Sequence, residues 1–158
     1  MLILDLVSQL EAAKIPYVIV GGYALAFHQI VRATVDIDLV VSLKEPDLES
    51  VEKILNKLGL KSRIPVRAKD IARFHQEYRK ERNMIAWSFV DFQDPTRQVD
   101  LLIDPPLKTI KSELVSVHGR KVRIATKKSL LGMKRAANRP EDQMDILRLE
   151  EALREEES

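Results

Sequence analysis

The chain is 158 residues long, with 45% hydrophobic and 32% charged residues, a formal net charge of +2 and no cysteine. That balance belongs to a globular chain long enough to bury one core, and it excludes a disordered polyelectrolyte, a disulfide scaffold and a thiolate metal site. No apolar run is long enough to cross a bilayer as a helix, and Met1-Leu2-Ile3-Leu4 meets Asp5 with no cationic region before it, so no membrane association and no signal peptide are expected, and the cytoplasm is the expected compartment.

Apolar residues at positions 2, 3, 6, 7, 10 and 13 line one face of a helix over Leu2 to Lys14, which Ile15-Pro16 ends. Tyr17 to Val20 is apolar and β-branched enough for a buried strand. Gly21-Gly22 then turns the chain into a short helix over Tyr23 to Ile30. Glycines there let the backbone approach a ligand, and the start of the helix offers free amides to a phosphate. His28, late in that helix, reads as structural or exposed. Val35 to Val41 is the next strand. Asp36 and Asp38 alternate along it, so both side chains leave the same face, about 7 Å apart along the chain. Two carboxylates on one face of an otherwise apolar strand repel each other and resist burial. A divalent cation would resolve that conflict.

Asp47 can cap a helix running to Leu58, with Leu48, Val51, Ile54, Leu55 and Leu58 on one face and Gly59 as its stop. Leu60 to Val66 reads as extended. Asp70 to Arg82 reads as a helix with a thin apolar face (Ile71, Phe74, Tyr78), and this basic stretch is a candidate flap over a substrate. Ile85 to Phe92 and Arg97 to Ile103 form a hairpin about Asp94-Pro95-Thr96. Asp100 is a lone carboxylate inside the second of these strands, whereas Asp104, before Pro105-Pro106, reads as a turn residue. Leu114 to His118 and Lys121 to Ala125 make a second hairpin. Thr126 caps a helix over Lys127 to Asn138, and the last helix restarts at Pro140 and runs to Glu155. Basic residues crowd Lys61 to Arg82 and Lys108 to Arg135, while acids crowd Glu141 to Glu157, a distribution compatible with binding a polyanion.

Two blocks of this sequence carry a family resemblance. Gly21-Gly22, a thirteen-residue spacer from Tyr23 to Val35, and Asp36-x-Asp38 resemble the signature of the nucleotidyltransferase superfamily typified by DNA polymerase β. The form Arg32-x-Thr34-x-Asp36-x-Asp38 is most similar to AbiEii-type and related small nucleotidyltransferases, and Lys127 to Arg135 followed by Arg139-Pro140-x-Asp142-x-x-Asp145 resembles their C-terminal block. Gly22 stands where many relatives carry serine, so backbone alone must hold phosphate there.

The resemblance implies an α/β (α+β) nucleotidyltransferase fold. A small mixed sheet would carry the acids on one face, helices would pack on the other, and C-terminal helices would close the cleft. It implies a single domain over 1–158, with a catalytic core in 1–104 and a hairpin and helices in 105–158. The implied reaction moves a nucleoside monophosphate from a nucleoside triphosphate to an acceptor hydroxyl, with Mg²⁺ or Mn²⁺ as cofactor. Asp36 and Asp38 would hold the metal and triphosphate, and Asp100 would be the third acid, beside the acceptor. Gly21 and Gly22 would cradle the terminal phosphates, Arg32 and Thr34 would shape the site or touch phosphate, Lys134 would meet the phosphates, and Asp145 would face the site. The acceptor stays open between RNA, a tRNA end included, a small molecule such as an aminoglycoside or lincosamide, and a protein. A cognate antitoxin is an implied partner. The reading from a different class is a catalytically silent nucleotide- or partner-binding module.

Overall fold

The apolar runs of the sequence come together as one sheet. Its strands are β1 (Tyr17–Val20), β2 (Ile37–Val41), β3 (Lys61–Ser62), β4 (Ala86–Asp91), β5 (Asp94–Leu102), β6 (Ser112–Val117) and β7 (Arg120–Ala125). They hydrogen-bond in the order β3-β4-β5-β2-β1-β7-β6 in a computed structural model that describes residues 1–34, 36–82 and 84–158. The sheet is mixed, as expected. β1 runs antiparallel to β2 and parallel to β7, β2 runs parallel to β5, and the β3–β4–β5 and β6–β7 pairs are antiparallel. Val35, the first residue of the expected second strand, lies outside the described residues.

Six helices accompany the sheet: α1 (Leu2–Ala12), α2 (Gly21–Phe27), α3 (Glu45–Lys57), α4 (Ala68–Arg82), α5 (Lys127–Ala137) and α6 (Gln143–Glu157). Ile19, Leu39, Leu101 and Trp87 stand opposite one another across four strands, and each is at most 1% exposed. They join Leu6 and Leu10 of α1 and Leu48, Val51 and Leu55 of α3 in one core. Trp87 and Phe89 stack with ring centroids 4.6 Å apart. The Trp87 indole N–H donates to Ser62 Oγ at 2.8 Å, so this fully buried ring leaves no polar atom without a partner. The neighbouring positions on the same strands point to the opposite face. That face carries the acids.

Helix ends differ from expectation for local reasons. α1, α2 and α3 each stop at a left-handed residue, Lys14 (φ 57), Gln29 (φ 68) and Gly59 (φ 90). The next amide in each case returns to a carbonyl five residues back: Ile15 to Leu10, Ile30 to Leu25 and Leu60 to Leu55, at 2.9, 3.0 and 2.9 Å. α2 therefore ends at Phe27 rather than Ile30, and it begins on the glycines themselves. α3 begins at Glu45, because Pro46 suits a first turn; Asp47, expected as the cap, sits inside that turn, where its charge favours the helix start. Thr126 caps α5 as expected, its Oγ1 accepting from the Ser129 amide at 3.1 Å. The stretch expected as a flap is anchored at one end. Glu52 of α3, 7% exposed, accepts from the Ala68 amide at 3.3 Å and from Arg67 Nε at 3.2 Å, and Ala68 and Ile71 enter the core. Among the described residues no helix is long and apolar enough to cross a membrane.

Trp87 is the largest side chain in this core. Trp87→Ala is expected to cost about 3–5 kcal/mol, through lost burial and the cavity left behind, as a fall in the urea unfolding midpoint.

Candidate active site

One row of residues crosses the polar face of the sheet. Val20 stands opposite Asp38, Asp38 opposite Asp100, and Asp100 opposite Ser88. Asp38 and Asp100 thus sit side by side on strands about 4.8 Å apart. Asp36 lies one residue before β2 and within reach of their charge. Burial, followed by the charges of Asp100 and Asp36, pushes the Asp38 carboxyl up to about 7, against the pull of Lys134. Burial and Asp100 also raise Asp36, with Arg63 acting in the other direction. Asp100 is held by its strand neighbour two residues back: Gln98 Nε2–H donates to Asp100 Oδ1 at 3.0 Å.

This donor set suits a hard divalent cation. All three groups offer anionic oxygen, and the two carboxyls with raised pKa would be returned to their ionised form by a cation between them. Among the described residues no cluster of three or more acidic or histidine side chains forms a ready-made metal site.

The glycine pair has a packing role that the sequence did not disclose. A Cβ on Gly21, which has φ +66, would lie 2.8 Å from Asp38 Cγ and 2.9 Å from Asp38 Cβ. A Cβ on Gly22 would lie 2.5 Å from Thr34 Oγ1 and 2.7 Å from Thr34 Cβ. The missing side chains therefore make room for Asp38 and Thr34. Thr34 Oγ1–H in turn donates to the Asp36 carbonyl at 3.3 Å. Glycines, threonine and aspartates form one packed unit.

A charged network backs that unit. Lys134 of α5 is 9% exposed, and its Nζ lies 3.0 Å from Asp142 Oδ1 and 3.2 Å from Asp145 Oδ2. Arg32 pairs with Asp145. Arg139 donates to both oxygens of Asp142, from Nε at 2.8 Å and Nη2 at 3.2 Å. Burial would raise the Asp142 carboxyl, but the hydrogen bonds from Arg139 and Lys134 bring it below its ordinary value. Arg148 Nη1–H donates to the Val31 carbonyl at 2.9 Å, so two contacts tie the segment leading to Asp36 onto α6. His28 is structural: its Nε2–H donates to the Ala125 carbonyl at 2.7 Å and links α2 to β7.

Sequence reasoning missed Asp142, Gln98 and Arg63. The first two had local signals, the three-residue spacing from Arg139 to Asp142 and the two-residue spacing from Gln98 to Asp100. Arg63 had none, since only the order of the strands brings it near.

Comparison with known proteins fits this geometry. The profile described as nucleotidyl transferase AbiEii toxin, type IV toxin–antitoxin system, matches residues 5–148. The chain belongs to the AbiEii family. No curated protein matches it. Solved structures of similar fold include ANT(2'')-Ia in complex with adenylyl-2''-tobramycin (15% identity, 94% of this chain and 84% of that one, TM-score 0.60). Lincomycin-bound LnuA, a lincosamide antibiotic adenylyltransferase, shares 15% identity over 94% of this chain and 92% of its own, at a TM-score of 0.59. A nucleotidyltransferase from Thermotoga maritima shares 12% identity over 93% and 88%, at a TM-score of 0.56. At these identities the likeness concerns the fold. Family and fold together make this AbiEii-family chain a nucleotidyltransferase.

Two outcomes follow from the packing of the acids. Asp38 binds its proton more tightly folded, near 7, than unfolded, near its ordinary 3.8. Ionising it therefore costs stability; the cost is absent below about pH 4, grows as pH rises, and is complete above about pH 7. Asp38→Asn is expected to raise the melting temperature of metal-free protein at pH 8 by on the order of 5 °C, with a much smaller change at pH 4, in thermal melts with EDTA. Gly21→Ala is expected to cost roughly 1–3 kcal/mol by chemical denaturation, from a strained φ and the clash with Asp38. The cost should be smaller in an Asp38→Ala background, where the clash with the carboxylate is gone and only the 2.9 Å approach to Cβ remains.

Proposed function

We propose that this AbiEii-family chain moves a nucleoside monophosphate from a nucleoside triphosphate to a hydroxyl of RNA, with pyrophosphate leaving and a tRNA end as one form of acceptor. The reaction would need Mg²⁺ or Mn²⁺ and take place in the cytoplasm, with residues 1–158 acting as one catalytic unit. The observation that carries this reading is the placement of Asp38 beside Asp100 across β2 and β5, with Asp36 in reach.

Asp36, Asp38 and Asp100 would hold the metal, and Asp36 and Asp38 would anchor the triphosphate through it. When bound, the metal supplies charge neutralisation for the phosphates and lowers the pKa of the attacking hydroxyl. Asp100, oriented by Gln98, would stand beside the acceptor and take its proton. The Gly21-Gly22 backbone, next to Asp38, would meet the terminal phosphates. Lys134 would offset charge developing there, and its clamps, Asp142 and Asp145, would keep it from reorganising during the reaction. Arg32 and Thr34 would act by shaping the site, Arg32 through Asp145 and Thr34 through the Asp36 carbonyl. The family description supports a cognate antitoxin as partner.

A small-molecule acceptor is the second reading, supported by the fold likeness to proteins bound to adenylyl-2''-tobramycin and lincomycin. The basic stretch over Lys61 to Arg82 favours RNA. The test is incubation with each α-labelled nucleoside triphosphate, Mg²⁺ and total cellular RNA, beside an Asp38→Asn control. Label entering RNA and lost in the control is the expected result. Magnesium-dependent nucleotide binding without labelled RNA would move the acceptor to another class, and no nucleotide binding would leave a silent module.

A further inference from the structure

The row that carries the acids continues beyond them. Past Ser88, the Arg63 amide donates to the Ser88 carbonyl at 3.0 Å, extending the pairing of β3 with β4 by one residue. Ser62 Oγ accepts a hydrogen bond from the Trp87 indole N–H on the apolar face, so strand alternation turns Lys61 and Arg63 to the face of Asp100. Arg63 is exposed. Its Nη1–H donates to Gln98 Oε1 at 3.4 Å, and the same Gln98 side chain donates to Asp100. The amide thus links a guanidinium to the carboxylate of the site, its two ends fixed by what each contacts.

The charge of Arg63 reaches Asp36 from a distance but is not neutralised in an ion pair. Among the described residues it has no carboxylate partner, whereas Arg67, Arg73 and Arg79 of the same stretch pair with Glu52, Glu45 and Asp104. It lies on the β4 side of the acids. Gly21 abuts Asp38 from the opposite, β1 side, and Lys134 belongs to the helix that follows β7, beyond β1. The acids are therefore flanked by two separate phosphate-binding chemistries at opposite ends of one row.

We propose that the Arg63 end is the acceptor subsite, in which Arg63 binds a backbone phosphate of the acceptor strand next to the reacting hydroxyl. The proposal rests on the transferase reading above. A guanidinium matches phosphate with paired, directional hydrogen bonds. With Lys61 on the same face, that end repels a polycationic acceptor of the aminoglycoside kind, which would require carboxylates there.

The test is equilibrium binding of a fluorescent single-stranded RNA with a free 3′ hydroxyl, as a function of salt. It compares wild type, Arg63→Gln, Arg63→Lys and Arg73→Gln, with Mn²⁺-dependent nucleoside triphosphate binding measured on each. Arg63→Gln is expected to weaken RNA binding about 10-fold and to reduce the slope of log affinity against log salt by about 0.7, the loss of one phosphate contact on a single strand. Arg63→Lys should fall between it and wild type, Arg73→Gln should stay within about twofold of wild type, and nucleotide binding should persist in all four. Unchanged RNA affinity and slope in Arg63→Gln would overturn the proposal, as would an equal loss in Arg73→Gln, which would mark diffuse attraction. Nucleotide binding by a wild type that binds no RNA would overturn the acceptor subsite alone. Failure of wild type to bind nucleotide would overturn the transferase reading and this proposal with it.

Discussion

Asp38 and Asp100 stand side by side, partly buried, and repel each other. Much of the structure around them accommodates that conflict. Gly21 lacks a side chain because the Asp38 carboxylate occupies the space. Thr34 occupies the space left by Gly22 and bonds to the Asp36 carbonyl, fixing the approach of Asp36. Lys134 brings a cation within reach of Asp38, and it is itself balanced by Asp142 and Asp145. The proposed binding of a divalent cation would give this arrangement a reason, because the repulsion that destabilises the metal-free protein would become attraction for the cation.

The opposite face of the sheet makes that strain tolerable. The same strands that present acids on one side present Leu39, Leu101, Trp87 and Phe89 on the other, all fully buried with α1 and α3. A two-residue period lets one strand serve both purposes. The charged network is likewise compensated: among the described residues no buried side-chain nitrogen or oxygen lacks a hydrogen-bond partner. The conflict at the site is thus one of charge, not of unpaired buried side-chain groups.

Much of this was legible from local pattern. The strands at Tyr17 and Ile37, the second hairpin, the Thr126 cap and the Gly59 stop follow from periodicity or turn chemistry, whereas the first hairpin turns at Phe92-Gln93 and takes the expected turn Asp94-Pro95-Thr96 into β5, and Asp36 lies one residue before β2 rather than in it. What could not be read depends on contacts between distant segments. The adjacency of Asp38 and Asp100 comes from parallel pairing of β2 with β5, and family resemblance, not spacing, singled out Asp100. The packing role of Gly21 was not legible, because a sequence does not show that the Asp38 side chain fills the space beside it. Arg63 looked like one charge in a basic run, and only its partners distinguish it from Arg67, Arg73 and Arg79. α2 was drawn too long because Gln29, with no sequence mark of a helix stop, adopts the left-handed turn.

The central claim is that the carboxylate cluster exists to bind a divalent cation. Its most direct measurement is a thermal melt at pH 7.5 of protein freed of metal, titrated with Mn²⁺ and then Mg²⁺, beside Asp38→Asn. The account predicts that wild type gains stability along a saturable curve and that the variant, although more stable without metal, gains little or nothing. A wild-type melt indifferent to either cation up to millimolar concentrations, or an equal gain in both proteins, would contradict it.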